Sequence, residues 1–277
     1  MRKPVFDPAE RLWADLPNWL TDVLHGDTDR ELLTWFLRLF ALTAFSGLLT
    51  TIVRTVRKLP AAQDPLSRRL MLLLLPLPAV AFTAYFVAPT GYDWIWPIAQ
   101  RFPLLALLLA VAVVPAPPKH VTSVLLAGVV VVFALMTREV TNAFVAFDRD
   151  EVADFDQALA HIPERSNVAG LIFSRGSRHV KFSPFIHYVA YHQARRGGVV
   201  MFTFADFPQS PFRFRDDNRP PRVGPRWEWM PERVRAKDLA FYDYLLVRGG
   251  PGAAARDRKL YEPVYRGKAW SVFRRRR

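Results

Sequence analysis

Few residues in this sequence stand at spacings that chemistry requires. His187 and His192 lie five apart in a helix-like stretch, which turns them about 140° from each other around the axis. Two metal ligands on one helix face stand four apart, as in HExxH, and no such pattern occurs. No metal centre and no cofactor is therefore expected. Arg195-Arg196-Gly197-Gly198 offers guanidinium forks that match phosphate oxygens. A solvated helix C-terminus, favoured by the macrodipole, accounts for the same residues. Gly249, Gly250 and Gly252 follow a strand pattern but lack the GxGxxG spacing and the helix of a dinucleotide site. Ser174-Arg175-Gly176-Ser177-Arg178 is a donor-rich turn without Walker spacing or its lysine, and no GxSxG elbow exists. Asp206, Asp216 and Asp217 are carboxylates of a long loop, and nothing in their spacing singles them out for acid–base work.

Arg101 is the most telling single charge. It opens an apolar run after the loop residues Tyr92, Asp93, Trp94 and Trp96. A cation there meets either the phosphate of a lipid carrier or ordinary headgroups. Arg101, Arg195 and Arg196 are the candidate substrate contacts, all through phosphate, and no catalytic residue is assigned.

The elements that must position these groups divide the chain in two. Residues 32–53, 70–87, 102–114 and 121–136 are apolar runs. A bilayer core takes roughly 20 apolar residues of helix to cross. The fold class expected is a membrane protein with four α-helical transmembrane spans, followed by a small extracytoplasmic α/β domain. The boundaries expected are an interfacial segment over 1–30, a four-helix transmembrane region over 31–140, and the α/β domain over 141–277. Residues 6–24 place Leu12, Trp13, Leu16, Trp19, Leu20 and Val23 on a helical stripe, broken at Pro17. That stripe suits either the headgroup region or the surface of the water-facing domain. Arg38, inside the first run, snorkels or finds a partner. Pro76 and Pro78 put a kink into the second. The third begins early, near Trp94, and Pro115, Pro117, Pro118, Lys119 and His120 form a tight turn before the fourth.

Charge sets orientation. Arg54, Arg57, Lys58, Arg68 and Arg69 fill the first loop and Lys119 the third, so these face the cytoplasm by the positive-inside rule. The N-terminus, the second loop and the C-terminal domain then face out, across the inner (plasma) membrane. An outward N-terminus without a signal peptide is natural if further spans precede Met1. Residues 1–136 carry a net charge of +3 and residues 137–277 carry +10. Beside a bilayer, lipid phosphate is a better partner for that charge than nucleic acid, which is not expected. The absence of cysteine excludes disulfides and thiolate chemistry.

The C-terminal half reads as helix 150–161, strand 167–173, helix 184–195, strand 199–204, a Pro- and Arg-rich loop over 208–231, strand 242–247, and a hairpin around Gly267. Residues 96–115, one further span and this tail resemble the C-terminal portion of bacterial GT-C-type membrane glycosyltransferases. The matching residues are Arg101-Phe102, Ile162-Pro163, Tyr242-Asp243-Tyr244-Leu245-Leu246-Val247 and Trp270-Ser271-Val272-Phe273-Arg274. The resemblance covers residues 90–277 and rests on loose patterns. It implies transfer of sugar from a polyprenyl-phosphate donor on the outer face, with catalytic carboxylates in the first outer loop. Here the loop after span one faces in and holds only Asp64. Asp27, Asp29 and Glu31 precede span one, but the role does not transfer to them. Two readings follow. One is a partial or degenerate transferase, its catalytic half supplied by an upstream-encoded membrane partner. The other is a non-catalytic accessory protein whose basic domain binds envelope polymer or a partner protein.

Overall fold

The computed structural model describes residues 3–20, 24–57, 73–92, 96–115, 117–203, 205, 210–215, 219–221, 229–250 and 260–276. The chain forms two compact units, Met1–Thr141 and Asn142–Arg277.

The first unit is helical apart from one short antiparallel pair, β1 (Pro4–Val5) with β2 (Gly91–Tyr92). Helix α1 (Ala9–Asp15) runs into a 3₁₀ turn over Leu16–Trp19, so the stripe does break at Pro17. Helix α2 (Thr28–Val56) has 29 residues and is about 43 Å long at 1.5 Å per residue. Asp29 folds back at its start, its carboxylate accepting from the backbone N–H of Leu24 at 3.3 Å and of Arg30 at 3.1 Å. Helix α3 (Pro76–Val87) and helix α4 (Phe102–Val113) have 12 residues each. Helix α5 (Lys119–Phe147) has 29. Two helices, α2 and the α5 segment, are thus long and apolar enough to cross a membrane, and two shorter apolar helices accompany them.

Several expected boundaries move. The third run begins at a 3₁₀ turn over Ala99–Arg101, not near Trp94. Trp96 precedes Pro97, and a residue before proline is pushed out of the α region. Lys119 and His120 open α5 instead of closing the turn, since a proline just before a helix is already preorganised for it. Residues 58–72, with Lys58, Asp64, Arg68 and Arg69, lie outside the described residues, as do Asp93 and Trp94. Gly47 on α2 lies against the Pro115 carbonyl, where a Cβ would collide with backbone. The aromatic rings of Trp13, Phe82, Tyr85 and Phe86 interlock α1 with α3, and the Tyr85 hydroxyl donates to the Leu12 carbonyl at 2.6 Å.

The second unit is a five-stranded mixed sheet in the order β4-β3-β5-β7-β6. Its strands are β3 (Asn167–Ile172), β4 (Val199–Val200), β5 (Tyr244–Arg248), β6 (Tyr261–Arg266) and β7 (Trp270–Arg275). Strands β4, β3 and β5 are parallel, β7 runs antiparallel to β5, and β6–β7 is the hairpin expected around Gly267. Alternation sends Ala169, Leu171, Leu245 and Val247 to one face, where they meet Val234, Leu239, Tyr242 and Tyr261. The opposite face carries Gly170, against which Val189 packs at 2.8 Å from a would-be Cβ. Helices α6 (Phe155–Ala160) and α7 (Ala190–Arg196) belong to this unit.

The helix expected over 150–161 is split. Helix α5 ends in a π-turn over Asp148–Val152, and Ala153 has a φ of 46°, which no helix tolerates. The helix expected over 184–195 forms only from Ala190, after a series of tight turns. The strand expected over 199–204 stops at Val200, since Phe202 takes a φ of 65°. In the loop over 208–231, the described residues form neither helix nor strand until Pro231, which opens a 3₁₀ turn over Pro231–Arg233.

Gly249 has a φ of 69°, and a Cβ there would stand 2.5 Å from the Ser174 Cβ. Replacing it with alanine therefore combines left-handed strain with overlap. Gly249→Ala is expected to cost about 1–3 kcal/mol in thermal unfolding of the chain. Gly176→Ala, where a Cβ meets nothing within 4 Å, serves as the neutral control.

Candidate functional site

In an open α/β sheet, ligands gather at the carboxyl ends of the strands where the connections diverge. Here that point lies between β3 and β5, because the chain leaves β3 for β4 on one side and returns to β5 on the other. The turn 174–178 and Gly249-Gly250, two separate features of the sequence, meet at this edge. The Arg248 carbonyl accepts from the N–H groups of Phe173 at 2.9 Å and Ser174 at 3.2 Å.

Arg248 closes an otherwise apolar strand and is only 6% exposed. Its guanidinium carbon sits 3.5 Å from the Phe185 ring centre and 5.4 Å from that of Trp270. Such a cation is held by the ring quadrupoles. Among the described residues no hydrogen bond reaches the guanidinium and no carboxylate comes within 4 Å of it. Burial pulls its pKa down, while the charge of Glu151, with Tyr188 and Asp154, works the other way.

Of three carboxylates at the π-turn and its exit, Glu151 and Asp154 are set against this cation. Glu151, 5% exposed, accepts from the Arg178 backbone N–H at 2.7 Å. Burial alone would raise its pKa, but the bonds from Ser177 and Arg178 win and hold it below the usual carboxylate range. Asp150 is chelated by Arg149 at 2.8 and 3.1 Å and approached by His179 at 3.4 Å. The Arg149 bond brings its pKa down to about 2. Asp154 accepts from the N–H groups of Ala269 at 2.9 Å and Trp270 at 3.4 Å and from the Tyr265 hydroxyl at 3.1 Å. Trp270, fully buried, donates its indole N–H to the Val152 carbonyl at 3.1 Å and stacks on Tyr188 at 5.6 Å. The arrangement is a charged joint between the π-turn and the sheet. One Glu151 oxygen and the Arg248 Nε are enclosed without hydrogen-bond partners.

The residues singled out in the sequence fall elsewhere. Arg101 is exposed in the first unit and makes no ion pair among the described residues. Arg195 and Arg196 end α7 in the second unit. Arg195 bonds Asp156 at 2.6 Å and lies over Tyr191, and Arg196 donates to the Ile162 carbonyl at 2.9 Å. Each thus contacts a segment distant in sequence. Ser174–Arg178 is a serine turn, its Ser177 hydroxyl accepting from the N–H groups of His179 and Val180. Arg175 stacks on Trp229 at 5.5 Å and donates to its carbonyl. Asp206, Asp216, Asp217 and Gly252 lie outside the described residues. Among the described residues no group of three His, Asp or Glu could hold a metal. Sequence reasoning missed the Glu151–Asp154–Arg248 joint, though an arginine ending a buried strand before Gly-Gly was a usable signal.

His187 is exposed, while His192 is completely buried with neither ring nitrogen hydrogen-bonded. Burial lowers its pKa below 6.5 and the Arg196 charge adds to that, against an opposing pull from the Ser166 backbone. The unfolded chain takes up this proton near pH 6.5 and the folded chain only lower. Stability is therefore full above that value and falls as pH drops from there towards the lower pKa of the folded ring. Melting temperature is expected to drop between about pH 7 and pH 5, above the range where the carboxylates titrate. His192→Phe is expected to flatten that slope.

No family model, no curated protein and no solved structure matches the chain.

Proposed function

We propose that this chain is an integral membrane protein with four spans that serves lipid-linked glycan transfer as a binding partner, a degenerate relative of GT-C-type transferases. The observation that carries the membrane part is outward-facing apolar surface. Only 6% of the most apolar window of each long helix is buried, and Leu42, Phe45, Leu48, Ile52, Val130, Val131 and Phe133 are exposed. A water-soluble protein rarely shows so long an apolar face. The shorter apolar helices α3 and α4 belong to the second and third spans on this reading.

Several carboxylates are already engaged within the protein, which supports binding over bond formation. Asp29, ahead of the first span, is buried and spent on the N–H groups of Leu24 and Arg30. Asp150, Asp154, Asp156 and Glu262 are each committed to arginine, backbone or tyrosine partners. Glycosyl transfer needs a carboxylate free to take a proton or meet a developing cation. On this reading Arg101 meets the phosphate of a polyprenyl-phosphate sugar at the outer face. Arg195 joins a phosphate by releasing Asp156, a surface pair worth about 0–1 kcal/mol, and Arg196 stands beside it. The resemblance of the tail is supported by pairing within the sheet. The residues Tyr244–Val247 and Ser271–Arg274 of the two motifs face each other across β5 and β7.

A second reading, an accessory protein binding anionic envelope polymer, draws on a broad groove at the amino edge of the sheet. It encloses about 1230 Å³ and is lined by Arg274, Arg275 and Arg276 with Asp243, Tyr244 and Glu262. Glu262 is already paired with Arg274 at 2.5 Å.

Alkaline phosphatase fused after Arg149 is expected to be active and a fusion after Asp64 inactive. The reverse pattern sinks both readings. Binding of a polyprenyl-phosphate sugar to the chain in nanodiscs is expected to weaken roughly tenfold in Arg101→Ala, the loss of one charge-assisted contact. Unchanged binding in that variant, with weakened retention of an anionic glycan in Arg276→Ala, favours the polymer reading.

A further inference from the structure

Three neighbouring strands of the second unit set a row of polar side chains across the amino edge of the sheet. Tyr244 of β5 stands opposite Arg274 of β7, and Arg274 stands opposite Glu262 of β6. Residues paired in register point to one face, and strands lie about 4.8 Å apart, so the row spans about 10 Å. The Asn167 N–H donates to Asp243 Oδ2 at 3.4 Å, which ties the start of β3 to the same edge. These side chains, with Ser166 and Arg276 among others, line the groove of about 1230 Å³. A cleft for one small molecule holds about 300–1,000 Å³, so an occupant that fills this groove is a chain of linked units.

The wall leaves polar atoms open on both sides of the charge balance. Arg274 sets Nε at 3.2 Å and Nη2 at 2.5 Å on a single oxygen of Glu262, Oε1. Glu262 Oε2 receives no hydrogen bond among the described residues. The Arg274 bonds hold the Glu262 pKa below the usual carboxylate range, so that oxygen stays an ionised acceptor at neutral pH. Asp243 is exposed and engaged through Oδ2, which leaves its Oδ1 open. Arg275 is spent on the Ala240 carbonyl. Arg276 is exposed, with its backbone N–H fixed on the Leu260 carbonyl at 2.7 Å. Its guanidinium forms no ion pair among the described residues.

An uncommitted guanidinium beside two half-open carboxylates suits a bare chain of negative charges poorly, because Asp243 and Glu262 repel it. It suits a chain that brings anions and hydroxyl donors together. We propose that this groove binds an acidic polysaccharide: an anionic group of the sugar meets Arg276, and ring hydroxyls donate to Glu262 Oε2 and Asp243 Oδ1. Hydrogen bonds to ionised acceptors are the stronger kind, and they tell a sugar from charge alone. Single-stranded nucleic acid fits less well, since its bases stack on aromatic rings and Tyr244 is the one ring on the wall among the described residues. The inference rests on the polymer reading above, not on the membrane reading, and adds the ligand class and its selectivity.

The test immobilises the full chain and measures its affinity, at one ionic strength, for polygalacturonate, inorganic polyphosphate and polyuridylate. The first carries carboxylates and ring hydroxyls, the second charge without hydroxyls, and the third is a nucleic acid. Asp243→Asn and Glu262→Gln keep the side-chain shape and an oxygen for the present donor, so the fold is retained. Each is expected to weaken polygalacturonate by roughly three- to tenfold, the worth of a hydrogen bond to an ionised acceptor. Each is expected to tighten polyphosphate, because a repelling charge is gone. Arg276→Ala is expected to weaken both polymers. Unchanged or tighter polygalacturonate binding in the two carboxylate variants overturns the inference and leaves the polymer reading standing. Polyuridylate held more tightly than polygalacturonate, and released in Arg276→Ala, overturns it in favour of a nucleic-acid groove. Retention of neither polygalacturonate nor polyphosphate by the wild-type chain overturns instead the polymer reading on which it stands.

Discussion

The first unit is governed by a surplus of apolar side chain with no protein to lie against. Helix α2 buries Leu33 and Gly47 and turns Leu42, Phe45, Leu48, Leu49 and Ile52 outward. Its polar side chains are satisfied inside the helix. Thr43, Thr50, Thr51 and Thr55 each donate to the carbonyl four residues back, and Ser46 to the one three back. A helix closes its own backbone bonds and in this way carries its side-chain donors with it. Arg38 lies over Trp35 at 4.9 Å.

The second unit depends on a different constraint, the cost of leaving charge in a dry place. Asp154, Glu151 and Arg248 all lie at or below a tenth of full exposure, and each is answered in its own way. Asp154 receives two backbone N–H groups and a tyrosine hydroxyl, Glu151 receives the Arg178 N–H and the Ser177 hydroxyl, and Arg248 receives aromatic faces. Trp270 links them, stacked in the cluster with Phe155, Phe185 and Tyr188 while its N–H holds the π-turn through Val152. Loss of any member leaves another charge uncompensated. The joint therefore holds the start of the domain to its last strand.

Much of this architecture was legible. The run 167–173 reads as a strand because it is apolar on both faces, and β3 is the central strand of the parallel part, covered on both sides. The hairpin around Gly267 was equally plain. What escaped depends on contacts between residues far apart in sequence. Glu151 and Asp154 read as the polar side of a helix over 150–161. They are instead drawn inward by Arg178 and by the N–H groups of residues 269 and 270, and the chain breaks at Ala153 to let them turn. Phe202 likewise leaves strand geometry only because of its place in the tertiary fold. Of the candidate contacts, Arg195 and Arg196 were legible as a helix end. Arg101 was legible as a charge at the mouth of an apolar run.

The orphan groups separate into two kinds. Arg248 Nε and the free Glu151 oxygen are enclosed in a network of opposite charges, where long-range attraction offsets the missing bonds. His192 escapes the penalty of charge by staying neutral, at the expense of acid stability. Gln100, 6% exposed with its Oε1 enclosed and unpaired, has neither remedy. It is neutral, so no distant charge compensates it, and it cannot shed a polar group by titration.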